Sequence, residues 1–411
     1  MEKGYLPELL QSLTLSERTA LRKYLCSPYH NVRTDVLALF DHLCAQLATP
    51  VQRSAVYGAV FQEKPFDARQ LNYTVSYLSK LAEDFLAQRE WEADEDAQGL
   101  CLLRSLRKRR LSRLSERAAR TVEKRLEKQP RRDAAYFRQR YLIDFEQFRG
   151  HLQQGRGRDI DFDSFTEAHE KAFVYEKLKL GCMLQSRQTV ASREYGAGFL
   201  PVLLEFLRDH PWLEEPAIAA WYHGYFIQTD AGATGNFEQL KALIFRHGTL
   251  LPDDERHDLF LLAINFCIRR INSGDPAFSK DLFDLYREGL TQGIFLDNGV
   301  MSRWSYNNIV NTALKMGEAD WALQFLEDYR RWLEPAFRDT GYFFNLARCR
   351  YEKGDHADAL ECLTRIDYDD ILQNLSAKTL QMKIYYDTAA WQSLDSLLDS
   401  VAIYLRRKKV L

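Results

Sequence analysis

Apolar residues recur at helical spacing along nearly the whole chain. In Leu15-Ser-Glu-Arg-Thr-Ala-Leu-Arg-Lys-Tyr-Leu25, residues Leu21, Tyr24 and Leu25 fall at i, i+3 and i+4, which is one face of a helix. Thr14 and Glu17 stand at its start with capping-box spacing, so each side chain can satisfy a backbone N–H that the first turn leaves unpaired. Ser27-Pro28 stops the helix, because proline disfavours helical geometry in the residue before it. The same pattern returns over Val36–Leu47, Ser54–Phe61 and Ala68–Phe85, so residues 1–92 are predicted to form a bundle of four or five short helices.

The acidic stretch Glu90–Asp96 marks a boundary, and residues 93–155 read as two or three longer, strongly basic connecting helices. Gly155-Arg-Gly-Arg-Asp159 is predicted to be a loop. From 156 to 411, helix-length patterns are broken by turns at Gly196-Ala-Gly198, His210-Pro-Trp212, Gly232-Ala-Thr-Gly235, Leu251-Pro-Asp253, Ser273-Gly-Asp-Pro276 and Asp297-Asn-Gly299. No run of alternating strands bounded by hairpin turns occurs. The predicted fold is all-α, an N-terminal helical bundle followed by an α-solenoid of antiparallel helix pairs.

A repeat emerges when the last third is aligned on its turns. Leu346-Ala-Arg-Cys-Arg-Tyr-Glu-Lys-Gly354-Asp-His-Ala-Asp-Ala359-Leu-Glu-Cys-Leu363-Thr-Arg-Ile366 reads as helix, tight turn and second helix. Its counterparts are Ile309 to Tyr329, turning at Gly317, and Met382 to Leu398, turning at Ala389. Small residues at Ala359 and Ala322 let the second helix cross close to the first, while Leu363 and Leu326 fill the seam.

With Phe343, Leu346, Ala347, Gly354, Ala359, Leu363 and Ile366 at these spacings, the chain resembles tetratricopeptide-type repeat proteins, most clearly over 300–405. The neighbouring unit has Val310 at the small position of its first helix, and a weaker unit falls at Phe266, Gly274, Ser279 and Phe283. As a whole the chain is also similar to bacterial helical-repeat proteins, a resemblance that brings no activity with it. The tetratricopeptide resemblance implies that the first helix of each pair lines a concave face. That would place Asn307, Asn311 and Lys315, then Phe344, Arg348 and Tyr351, then Lys383 and Tyr386 on the binding surface. Family members that hold a peptide's terminal carboxylate use Lys, Asn and Arg there; Asn311 fits one such place, but the complete set is absent.

Composition narrows the alternatives. With 411 residues, 46% hydrophobic and only 20 Gly and 11 Pro, the chain can bury a sizeable core and has few sharp breaks. The formal net charge of −2 gives no global attraction to nucleic acid or anionic membrane. Seven scattered cysteines without a Cys-x-x-Cys pair suit reduced thiols in a cytoplasmic protein. The N-terminus lacks the apolar core of a secretion signal, and no apolar stretch is long enough to span a bilayer.

Charge does collect locally. Residues 104–132 hold 13 Lys and Arg against 3 Glu. Arg107, Lys108, Arg109, Arg110, Arg113 and Arg117 are therefore candidate nucleic-acid contacts. The structural alternative is a solvated face with Leu103, Leu106, Leu111 and Leu114 buried beneath it and the acidic stretch 83–96 neutralising it. Tyr136, Phe137 and Tyr141 nearby are expected in the core.

Metal and catalytic motifs are weak. Asp159, Asp161, Asp163 and Glu170 match a calcium-loop template that lacks its glycine, since Ser164 stands there, and Ser164 with Glu167 reads better as a helix cap. Cys26, His30, His42 and Cys44 do not make a zinc set, because His42 and Cys44 lie on opposite sides of one helix. No phosphate-binding loop or nucleophile elbow is present. The expectation is a scaffold or adaptor that binds a protein or peptide, with no catalytic residue, cofactor or metal. A nucleic-acid-associated regulator is the alternative, and an enzyme with an unrecognised site is the third class.

Overall fold

The computed structural model describes residues 5–47, 52–62, 64–154, 162–191, 193, 195–366 and 371–407. All regular structure among these residues is helical, and the only β-type pairings are two isolated bridges, Asp297 with Val300 and Met301 with Leu333. The chain divides into two compact units, Met1–Arg125 with Leu142–Ile160, and Leu126–Tyr141 with Asp161–Leu411. The basic stretch 93–155 is therefore shared between them. The loop expected at 155–159 lies outside the described residues.

The first unit opens with α1 (Tyr5–Ser12), α2 (Leu15–Cys26), α3 (Thr34–Ala45), α4 (Arg53–Phe61) and α5 (Ala68–Ala93). Thr14 and Glu17 form the expected capping box, with the Thr14 N–H donating to Glu17 at 2.8 Å, and α2 stops before Ser27-Pro28. One core unites the five helices, built from residues such as Leu10, Leu21, Val36, Leu39 and Leu71, all fully enclosed. Asp94 then caps α6 (Glu95–Lys108) by accepting from the Ala97 N–H, so the acidic boundary is a helix-to-helix turn. The helices α7 (Ser112–Lys128) and α8 (Ala134–Gln154) complete the basic stretch.

The second unit continues with α9 (Phe162–Ala191), α10 (Leu200–Leu207), α11 (Pro216–Thr229), α12 (Thr234–His247), α13 (Asp253–Asn272) and α14 (Phe278–Thr291). It ends with α15 (Arg303–Lys315), α16 (Ala319–Tyr329), α17 (Arg338–Glu352), α18 (His356–Thr364), α19 (Ile371–Asp387) and α20 (Trp391–Arg407). From α11 onward each helix packs on the next, and α11 touches α13, α15 touches α17, and α17 touches α19. Ser164 and Glu167 both lie inside α9, so the cap expected at Ser164 is replaced by a helix that begins at least two residues earlier.

Four helix pairs of the second unit turn in one way, which the α6–α7 pair shares at Arg110. At Gly274, Gly317, Gly354 and Ala389 the backbone is left-handed, with φ of +94°, +78°, +84° and +53°. Each of these residues donates its N–H three residues back, and the next residue donates five back, as in Gly354 to Tyr351 and Asp355 to Arg350. This closing pattern satisfies carbonyls that a helix end leaves open. Glycine adopts it without steric cost, whereas Ala389 holds it with a Cβ. Behind the Gly354 turn, Ala347 and Ala359 are wholly buried and Leu363 is sealed against them, so the small-and-large pattern does its packing there.

Candidate functional site: an arginine held by asparagines

Ser302 caps α15 by accepting from the Ser305 N–H, and the helix buries Tyr306, Ile309, Val310 and Ala313. That register leaves Asn307 and Asn311, one turn apart, on the flank facing α17. Across from them α17 buries Asn345, which is 0% exposed, a rare place for an amide unless every polar atom is used. Asn345 Nδ2 donates to Asn307 Oδ1 at 2.6 Å and to the Gly341 carbonyl at 2.9 Å. Its Oδ1 accepts from Arg348 Nη1 at 3.3 Å, while Arg348 Nη2 donates to Asn311 Oδ1 at 2.7 Å. Two asparagines on successive helix pairs, Asn311 and Asn345, thus hold one guanidinium, and Asn307 anchors Asn345.

No carboxylate lies within ion-pair distance of Arg348 among the described residues. Burial holds its pKa below the ordinary arginine value, and the nearby Cys349 and Glu352 offset this only through space. An arginine still keeps its proton under such conditions, so a largely desolvated positive charge has only neutral amides as its hydrogen-bond acceptors among the described residues. The Phe344 ring centre lies 5.9 Å from the guanidinium carbon. Neighbouring Cys349 is buried, which pushes its thiol up to about 12 and leaves it unreactive.

Sequence spacing therefore brings Asn307, Asn311, Phe344 and Arg348 together. Tyr351 serves a different joint, donating its hydroxyl to Asp387 of α19 at 2.7 Å, and that bond leads the rise of its pKa to about 12. Lys315, Lys383 and Tyr386 are exposed, and among the described residues no hydrogen bond, ion pair or ring contact joins them to the cluster. Asn345 escaped the sequence reading. Its signal was a polar residue on the buried stripe of α17, three positions before Arg348.

The basic helices behave differently from expectation. Arg107 is only 7% exposed and binds Glu146 of α8, itself 4% exposed, at 2.7 Å, so its guanidinium is already engaged within the fold. Arg104 reaches the same carboxylate at 3.3 Å. Arg125 pairs with Glu95 and Asp96 at 2.9 Å, where the acidic boundary neutralises part of the run. Leu103 is buried as predicted, but Leu111 and Leu114 are exposed, because α7 packs through Ala119, Val122 and Leu126 instead. Lys108, Arg109, Arg110, Arg113 and Arg117 stand at the surface, Arg109 bonding back to Ser105. On α7, Arg113, Arg117, Arg120 and Lys124 form one exposed stripe without carboxylate partners among the described residues. Phe137 is buried, while Tyr136 lies under Arg132 and Tyr141 stacks on His169.

Among the described residues no group of three or more His, Cys, Asp or Glu is arranged to hold a metal ion. Asp159 and Asp161 of the calcium template lie outside them. In the zinc set, Cys26 is exposed and His30 stacks on Tyr24 with ring centres 3.8 Å apart. No described helix is long and apolar enough to cross a membrane. Compared with family models, curated proteins and solved structures, the chain matches none of them.

Proposed function

We propose that the second unit is a tetratricopeptide-like stack of antiparallel helix pairs that acts without catalysis, as an adaptor capturing a protein or peptide on the face formed by α15, α17 and α19. The observation that carries this is Arg348, a partly buried cation held by Asn311 and Asn345 with no carboxylate at ion-pair distance among the described residues. A carboxylate of an extended ligand would complete the charge balance and take up the free guanidinium donors. Supporting features are the shared left-handed turns at 274, 317, 354 and 389, and the packing of successive first helices. A connection of three residues between helices that pack together, as at Met316–Glu318, requires the chain to reverse direction.

Affinity capture with the full chain, followed by titration of the recovered partner, tests the proposal. A charge-assisted hydrogen bond contributes about 1.5–3 kcal/mol, so Arg348→Ala should weaken partner binding roughly ten- to a hundredfold, and Asn311→Ala less. Unchanged binding in both variants would remove the site.

A second function is favoured by the exposed stripe Arg113, Arg117, Arg120 and Lys124, which suits phosphate contact along one helix. Binding of single- or double-stranded nucleic acid through it should fall steeply with salt. It should be lost in Arg113→Glu/Arg117→Glu/Arg120→Glu and kept in Arg348→Ala.

A further inference from the structure

A cleft of the second unit, about 810 Å³, differs from the Arg348 cluster in character: its lining carries five carboxylates and one guanidinium. This volume is in the range of ligand pockets, about 300–1,000 Å³. One wall is the start of α13, with Asp254 and Asp258 exposed. The other is a rigid strap. Asp297 and Val300 exchange both backbone hydrogen bonds at 2.9 Å across Asn298 and Gly299, whose φ values of +50° and +77° make a tight two-residue turn. Met301 N–H then donates to Trp332 at 2.7 Å and Glu334 N–H to Met301 at 3.3 Å, which fixes Glu334 on the same wall. The lining also has an apolar part, made by buried Phe295, part-exposed Leu296 and exposed Val300.

These acids are not spent internally. Asp253 binds Arg256 at 2.9 Å, but Asp254, Asp297 and Glu334 have no cationic partner among the described residues, and Asp258 has only His257 at 3.7 Å. Gln292 also lines the cleft, its Nε2 donating to Glu288 at 2.7 Å. The carboxylates do not converge closely enough for three to share a metal ion. Negative charge spread over two fixed walls, with an apolar part in the lining, matches a ligand that carries several separated cations and apolar groups between them.

We propose that this cleft docks a basic, amphipathic peptide segment of a partner protein, whose Arg or Lys side chains pair with Asp254, Asp258, Asp297 and Glu334 while an apolar side chain rests on Leu296 and Val300. The site is independent of the Arg348 cluster and stands or falls separately from it. The probe is a fluorescein-labelled decapeptide of alternating Arg and Leu, followed by fluorescence anisotropy with the full chain. Asp254→Lys/Asp297→Lys should weaken it about tenfold or more, through lost attraction and added repulsion. A charge-matched control on α20, Asp395→Lys/Asp399→Lys, should leave it unchanged, and a decapeptide with Ser in place of Leu should bind more weakly. Should the double lysine variant lose its helical circular dichroism, Asp254→Asn/Asp297→Asn takes its place with a smaller expected loss, about threefold. Absence of binding by the wild type, equal binding by the cleft variants, an equal loss in the control, or equal binding of the Ser peptide each overturns the proposal.

Discussion

Arg107 in the first unit and Arg348 in the second are both arginines drawn into an interface between helices, and they meet different company. Arg107 finds Glu146, and the pair is almost wholly enclosed. Arg348 finds Asn311 and Asn345, which offer oxygen atoms but no charge. A desolvated ion costs several kcal/mol, and an opposite charge recovers most of it, whereas an amide recovers less. The first arginine is therefore complete as it stands and belongs to the scaffold. The second lacks an ion-pair partner among the described residues, and on the function proposed here this incompleteness, rather than exposure or basicity, is the reason to place binding there.

The largest expected effect tests the closed pair. Glu146→Ala leaves Arg107 buried without a counter-ion and should destabilise the first unit by about 3–5 kcal/mol in chemical denaturation. Glu146→Met with Arg107→Met should recover much of that loss, since no charge is then stranded. Arg348→Met is expected to change stability by only about 1 kcal/mol in either direction, because it removes an uncompensated charge along with its hydrogen bonds. A loss as large as that of Glu146→Ala would show that Arg348 is structural after all, and the contrast would break.

The smallest effect extends the contrast to a titrating group. His223 of α11 is half-buried and hydrogen-bonds Asn236 of α12, 2.8 Å away. Burial lowers its pKa below the ordinary 6.5, and the hydrogen bond only partly opposes this. The unfolded chain thus takes up the proton first, so the stability due to neutral His223 is present above pH 6.5 and is lost as pH falls toward the folded-state pKa. Thermal melts at pH 7.5 and 5.5 should show a smaller acid-induced drop for His223→Gln than for the wild type. An identical drop would mean that the histidine is effectively solvated.

Local features were legible in the sequence because they are written within one turn of helix. The Thr14 and Glu17 cap, the stop at Ser27-Pro28 and the left-handed turns at Gly317 and Gly354 needed only near neighbours. What escaped was pairing over distance. Glu146 lies 39 positions from Arg107, and nothing in the periodicity of α8 marks it as the carboxylate that silences a basic run. Asn345 joins residues 38 positions apart, and its burial depends on how closely two pairs approach. Leu111 and Leu114 were misassigned for the same reason, since hydrophobic residues near a helix start do not reveal which side its neighbour occupies. Arg348 itself was legible as a position, while its lack of a counter-ion required the surroundings of the side chain.

Ala389 gives the stack an uneven grain. Its three counterparts are glycines, for which a left-handed backbone is nearly free, but an alanine there bears a penalty of about 1 kcal/mol. That corresponds to a roughly fivefold larger population of momentarily unlatched α19–α20 hairpins than a glycine would allow. Breathing motions should therefore start at this latch, with the Gly354 and Gly317 hinges still shut. The segment bearing Lys383 and Tyr386 would then be the readiest to reshape itself around whatever it meets.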